Sequence, residues 1–173
     1  MDSIAQDNIA SLRQGIMLLA ELGDARYAQP VPQCFNSRIG GHVRHNVDHY
    51  FSFLEGYQQG CVDYDARKRD PRIENDTAYA NDCMLRIADL LENVQQADLE
   101  KPLQVKMDCN SLAEDVQPWS HSTVRRELQF LLSHTIHHYA LISGMCQLIG
   151  FQPAADFGVA PSTLRYQRAQ VSS

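Results

Sequence analysis

Apolar side chains recur at mixed three- and four-residue steps along four stretches of this chain, a rhythm that constrains it to amphipathic helices packed side by side. Residues 4–22 set Ile4, Ile9, Leu12, Ile16, Leu19 and Leu22 on one stripe, and Gly23 is placed to end that helix. Residues 24–36 hold two prolines and no period, so a loop is predicted there. Ser37 stands as the N-cap of a second helix reaching about Tyr57, with Ile39, Val43, Val47, Tyr50, Phe53 and Leu54 toward the core. A third opens near Asn75 or Asp76 and carries Ala80, Met84, Ile87, Leu90, Leu91 and Val94. The fourth starts after Ser122 or Thr123 and runs through Leu128, Leu131, Thr135, Ile142 and Met145 to Gly150.

The connections are less regular. Residues 61–74 form a dense cluster of both charge signs, and 103–107 (LQVKM) alternate like a short strand that can form a hairpin before Pro118 and Trp119. Residues 157–167 carry turn signals and are expected to pack as an extended tail. The predicted fold class is all-α: one domain over residues 1–173, a four-helix bundle with long crossovers and a small β-hairpin between helices three and four.

Charge narrows the function classes. Lys and Arg total 15 against 21 Asp and Glu, a net charge of −6, which leaves no electrostatic footprint for nucleic acid or an anionic membrane. The first thirty residues lack a basic stretch followed by an apolar one, so the expectation is a cytoplasmic protein, neither secreted nor membrane-inserted. Five scattered cysteines (Cys34, Cys61, Cys83, Cys109, Cys146) never form C-x-x-C, which argues against a disulfide framework or a thiolate zinc site. Cys146, on a helical core face, reads as inert packing.

Histidine carries the chemical signal. Three of seven lie at 42, 45 and 49, three at 134, 137 and 138, and His121 stands alone. A single histidine on an apolar face is more often satisfied by its surroundings than a ligand, but clustering alters that balance. Positions i and i+4 of a helix differ by about 40° of rotation, so His134 and His138 share one face with Leu131, Ile142 and Met145. Two inward imidazoles are costly unless their nitrogens find partners, and one divalent ion can satisfy both. His137 falls on the flank. The second helix has its apolar centre near Ile39, Val43, Asn46 and Tyr50, which leaves His42 and His49 at its edge and His45 further out; periodicity thus favours His42 or His49 as a third ligand. No H-E-x-x-H or E-x-x-H occurs, so a mononuclear three-histidine site is expected rather than a metalloprotease or carboxylate-bridged pair.

SRIGGHVRHNVDHY (37–50) and STVRRELQFLLSHTIHHYALI (122–142) resemble the DinB-like (DinB/YfiT) superfamily over nearly the whole chain. Residues 44–49 (R-H-x-x-D-H), the Y-D-x-R-x-R-D run at 64–70 with Glu74, and F-G-V-A-P-S at 157–162 are similar to an uncharacterised bacterial branch of it. The resemblance implies a divalent ion (Zn, Ni or Fe) held by His45, His134 and His138, with His49 as the fallback on helix two. His45 is implied because the family pattern is a histidine followed three positions later by an acid, here Asp48. It also implies a low-molecular-weight thiol as partner and a metal-dependent thiol S-transferase as the activity. The alternative is a non-catalytic metal-binding or stress-response module, with a homodimer as a further expectation. Asp48, Glu127 and Tyr139 are candidates to orient a ligating ring or move a proton, and none is assigned as catalytic. For residues 61–74 the first expectation is an ion-pair network, the second a plain solvated loop, and the third a substrate anchor at Arg67 or Arg69. Tyr64 and Trp119 are expected in hydrophobic packing.

Overall fold

The structure, a computed structural model, describes residues 3–107 and 118–171. It is mainly helical, with α1 (Ser3–Ala28), α2 (Ile39–Gly56), α3 (Thr77–Glu92), α4 (Val124–Leu148) and α5 (Pro161–Val171), beside a three-stranded sheet of β1 (Cys61–Asp63), β2 (Pro102–Lys106) and β3 (Ser120–Thr123). Helices α1 and α2 each pack against both α3 and α4. The predicted stripes supply the core: Ile9, Leu12, Leu19, Tyr50, Phe53, Ile87, Leu91, Leu128 and Ile142 are all essentially inaccessible. Burying apolar surface on this scale is the main favourable contribution to folding.

The predicted caps hold at two helices and shift at the others. Asp76 accepts from the Tyr79 amide to open α3, and Thr123 accepts from the Arg126 amide to open α4. Gly150, at φ 74°, follows the end of α4 as predicted. Gly23 does not end α1. It adopts φ 73° and ψ 158°, a kink beyond which the helix resumes to Ala28. The continuation is anchored by Tyr27, fully buried, whose hydroxyl donates to the Ile73 carbonyl at 2.6 Å. Ser37 is not the cap of α2 either: Arg38 takes that position, and the Ser37 hydroxyl donates to the Cys34 carbonyl at 2.7 Å.

The strand predicted at 103–107 is β2. It pairs antiparallel with β3 (Leu103 opposite Ser122), which follows Trp119 where the hairpin was expected to close before Pro118, and also parallel with β1 (Val62 opposite Val105). β1 was not predicted, because three residues are too short to show an alternation. Residues 108–117, Cys109 among them, lie outside the described residues, whose cysteines are free thiols. The predicted extended tail is helical from Pro161, a residue suited to a first helical turn. Because α5 is mostly exposed, it has no apolar stripe for sequence reading to detect. Trp119 is 47% exposed rather than packed, whereas Tyr64 is buried as expected.

Ion pairs pin the α2–α3 crossover: Arg44 meets Glu74 at 2.9 Å, Arg72 meets Asp70 at 2.7 Å, and Lys106 meets Asp63 at 3.8 Å. The crossover also lies directly on α2, where a Cβ at Gly40 would collide with the Glu74 backbone. The neighbouring Gly41 faces open space. Gly40→Ala is therefore expected to cost about 1–3 kcal/mol through overpacking. Gly41→Ala should be neutral or stabilising by up to about 1 kcal/mol through helix propensity. Thermal or urea unfolding of the two variants checks the contrast, and an unaffected Gly40→Ala would contradict the close approach.

Candidate metal centre

A polar network buried between helices fixes how α2 faces α4. The Thr135 hydroxyl of α4 donates to the Tyr50 hydroxyl of α2 at 3.3 Å, and Tyr50 donates onward to Asn8 Oδ1 of α1 at 2.7 Å. The Asn8 amide nitrogen closes the circuit on the Ile4 and Leu128 carbonyls. Each of these polar groups is buried and partnered, so a change of register would strand several at about 1–3 kcal/mol each. Sequence reading placed Tyr50 and Thr135 in the core for their apolar parts and gave Asn8 no role.

With that register set, His45 of α2 meets His134 and His138 of α4. One ring nitrogen from each lies within 4.8 Å of the other two, and the three ring centroids are 4.6–4.9 Å apart. The α4 pair lies one turn apart on one face, as its spacing predicts, the two rings meeting edge to face. His45 corrects the periodicity argument, which favoured its neighbours: the cluster sits at the edge of the α2–α4 interface, where a residue off the central stripe of α2 can still face α4. His134 Nε2 is buried and has no hydrogen-bond partner among the described residues.

His42 and His49 border this group. Nδ1 of His42 lies 2.9 Å from Nδ1 of His138, and its Nε2 lies 3.4 Å from the Ser37 hydroxyl. Nδ1 of His49 is 2.7 Å from the His45 carbonyl, which can only accept, so this nitrogen carries the proton and donates. The His49 ring stacks on Tyr64 and approaches His134, which stacks on Phe130. His137 is exposed on the flank with its ring edge toward His138, and His121 is exposed beside the Gln104 amide.

This setting disfavours protonation. Burial first, then the neighbouring rings, pushes His45 down to about 2 and His138 down to about 3. Burial and His49 push His134 down to about 4. His42 and His49 are lowered too, chiefly by burial. The Arg67 guanidinium adds to the effect at His45, His49 and His134, which puts this residue of the charge cluster near the rings while its Nη1 donates to the Tyr64 carbonyl. Neutral imidazoles with lone pairs turned inward are the form in which histidine binds a metal.

The three orienting candidates engage other partners. Asp48 pairs with Arg44 at 3.7 Å and accepts from the Asp70 amide, and burial raises its carboxyl to about 6. Glu127 accepts from Tyr64 at 2.8 Å and from Ser122. Tyr139 stacks on Phe157 and sets its hydroxyl against Gly15 of α1. Cys146 is fully buried in the core, and burial raises its thiol to about 11, in keeping with inert packing. A cleft of about 500 Å³ opens over the cluster, walled by Ser37, Arg38, Gly41, His42, His45 and His138 among others.

A pH dependence of stability follows from these shifts. The unfolded chain takes protons on its histidines near pH 6.5, while the folded chain takes them on His45, His134 and His138 only at about 4 or below. The stability these rings carry is complete above pH 6.5 and drains as pH falls. Asp48 acts oppositely, since its raised carboxyl holds a proton below about 6 that the unfolded chain lacks until about 4. One carboxyl set against three rings leaves a net loss. The melting temperature of chelator-treated protein is expected to fall from pH 7 to 5, and His134→Gln to flatten that fall. Equal slopes in the two proteins would count against the assignment.

Searched against models of known families, the chain matches none. Among curated proteins it is 32% identical over 109 residues to a protein of Rhizopus delemar named FK506-binding protein 5. That alignment covers 63% of this chain but spans only 28% of the relative's length.

Proposed function

We propose that this chain is a DinB-like four-helix-bundle protein whose His45, His134 and His138 bind one divalent metal ion, and that it acts as a metal-dependent thiol S-transferase. The observation that supports the metal most directly is three neutral ring nitrogens from two helices gathered within 4.8 Å, with His134 Nε2 buried and unpartnered. An ion at about 2.0–2.1 Å from each nitrogen would satisfy all three, which bulk water at a buried atom does not. Zn, Ni and Fe all suit imidazole donors. No helix among the described residues is long and apolar enough to cross a membrane.

Three neutral ligands would leave a bound ion its full charge, and such an ion would favour the thiolate form of a low-molecular-weight thiol near neutral pH, the thiol proton passing to solvent. In the proposed reaction the sulfur forms a bond to an electrophilic carbon, and the leaving group departs with the electron pair. The protein's own part is to hold three rings in one orientation, to keep them unprotonated by burial, and to leave the cleft beside His45 and His138 open to both reactants. Arg67, half-buried near the rings, supplies a positive charge that favours an anionic reactant.

Elemental analysis of purified protein is expected to find about one metal ion per chain in the wild type and little in His138→Ala. Adding the metal at about 100 times its dissociation constant should stabilise the fold by about 2.7 kcal/mol, and chelator should reverse it. Metal affinity should weaken below about pH 6.5 as protons compete for the rings. Conjugation of low-molecular-weight thiols to monochlorobimane then tests the reaction. Metal that tracks His138 without turnover of any thiol would leave a non-catalytic metal-binding module. Equal metal in wild type and His138→Ala would remove the site.

A further inference from the structure

Both ring nitrogens of His42 face hydrogen-bonding partners, one on α4 and one just ahead of α2. Its Nδ1 lies 2.9 Å from His138 Nδ1, and its Nε2 lies 3.4 Å from Ser37 Oγ. Ser37 in turn donates to the Cys34 carbonyl at 2.7 Å, with the Met145 sulfur at 4.0 Å as a poorer second acceptor. These contacts run in a single direction. A carbonyl can only accept, so the hydroxyl proton of Ser37 is committed and its oxygen is left to receive. His42 Nε2 must therefore carry the proton that Ser37 receives. A neutral imidazole carries one proton, so a proton on Nε2 leaves a lone pair on Nδ1. Two bare nitrogens would repel at 2.9 Å, which requires the proton between the rings to sit on His138 Nδ1.

We infer that His42, backed by Ser37 and the Cys34 carbonyl, is a positioning residue that holds His138 in its Nδ1–H form and turns the His138 Nε2 lone pair into the cluster. This deepens the metal reading and rests on His138 being a ligand. The Nε2–H form is the one a free histidine side chain prefers, so without a partner for Nδ1 the ring would carry its proton on the nitrogen a metal needs. The Cys34 end of the relay does not drift: the Val31 amide donates to the Ser37 carbonyl, and the Cys34 amide to the Val31 carbonyl, both at 2.9 Å. His49 repeats the principle within α2, donating Nδ1–H to the His45 carbonyl. Each of the two residues that periodicity favoured as ligands thus touches a member of the cluster from outside it.

Long-range proton–nitrogen correlation NMR on metal-free protein reads the tautomers directly. Wild type is expected to show the proton on Nδ1 of His138 and on Nε2 of His42; Nε2–H at His138 would overturn the proposal whatever the protein does with metals. In His42→Leu, the His138 proton should move to Nε2 and zinc affinity should drop about 10- to 100-fold. His42→Asn keeps an oxygen able to accept from His138 Nδ1–H and should restore both the tautomer and most of the affinity, a rescue that loss of packing alone would not give. Zinc binding by His42→Leu as tight as wild type would also overturn the positioning role. A wild-type protein with the stated tautomers but no His138-dependent metal uptake would fell the metal reading and leave the relay intact, so the two failures are separable.

Discussion

The Tyr50 hydroxyl receives one hydrogen bond from α4 and gives one to α1, and the relation between the helices that carry the histidines depends on it. A hydrogen bond contributes only about 1 kcal/mol net, but a buried hydroxyl or amide without a partner costs more than that, so the network acts mainly by penalising other registers. Sliding α2 by one residue relative to α4 would displace it about 1.5 Å and turn it about 100°. Tyr50 would lose Thr135 and Asn8, and His45 would leave His134 and His138. The same few buried atoms therefore specify both the packing and the cluster.

The cluster itself works against folding when taken alone. Its three imidazoles are bordered by those of His42 and His49, with Phe130 against His134, Tyr64 against His49, and Arg67 near enough for its charge to be felt. Protons are excluded by burial, by the neighbouring rings and by that guanidinium. What remains is a set of lone pairs with few protein donors to meet them, and at His134 Nε2 with none among the described residues. A chain that only needed stability would fill this volume with leucine. Protein partners are found by Nδ1 of His49, at the His45 carbonyl, and by the facing Nδ1 atoms of His42 and His138.

Several features were legible in advance because they repeat. The stripes of all four long helices, caps at Asn75 or Asp76 and at Ser122 or Thr123, the adjacency of His134 and His138 and the strand at β2 follow from periods of 3.6 and 2 and from cap chemistry. Others had no local signature. Gly23 reads as a stop, but it is a kink because Tyr27 beyond it is secured to Ile73 across the fold. β1 is three residues long, and α5 is a helix with most of its surface in water, so neither offers a pattern. The candidate site divides the same way. The α4 pair is visible from spacing alone, while His45 was reached through the resemblance and against its position on the helical wheel.

Taken by itself, the sequence determined which faces are apolar, which histidines lie a turn apart, and that acidic side chains outnumber basic ones. These are properties of neighbours along the chain, and local geometry is enough to read them. Only the tertiary structure decided that His45 faces His134 and His138 while His42 and His49 border them, that Arg67 lies close by, and that Asp48, Glu127 and Tyr139 engage other partners. Those outcomes depend on the angle and register at which α2 meets α4, and that is set by buried contacts between residues more than eighty positions apart.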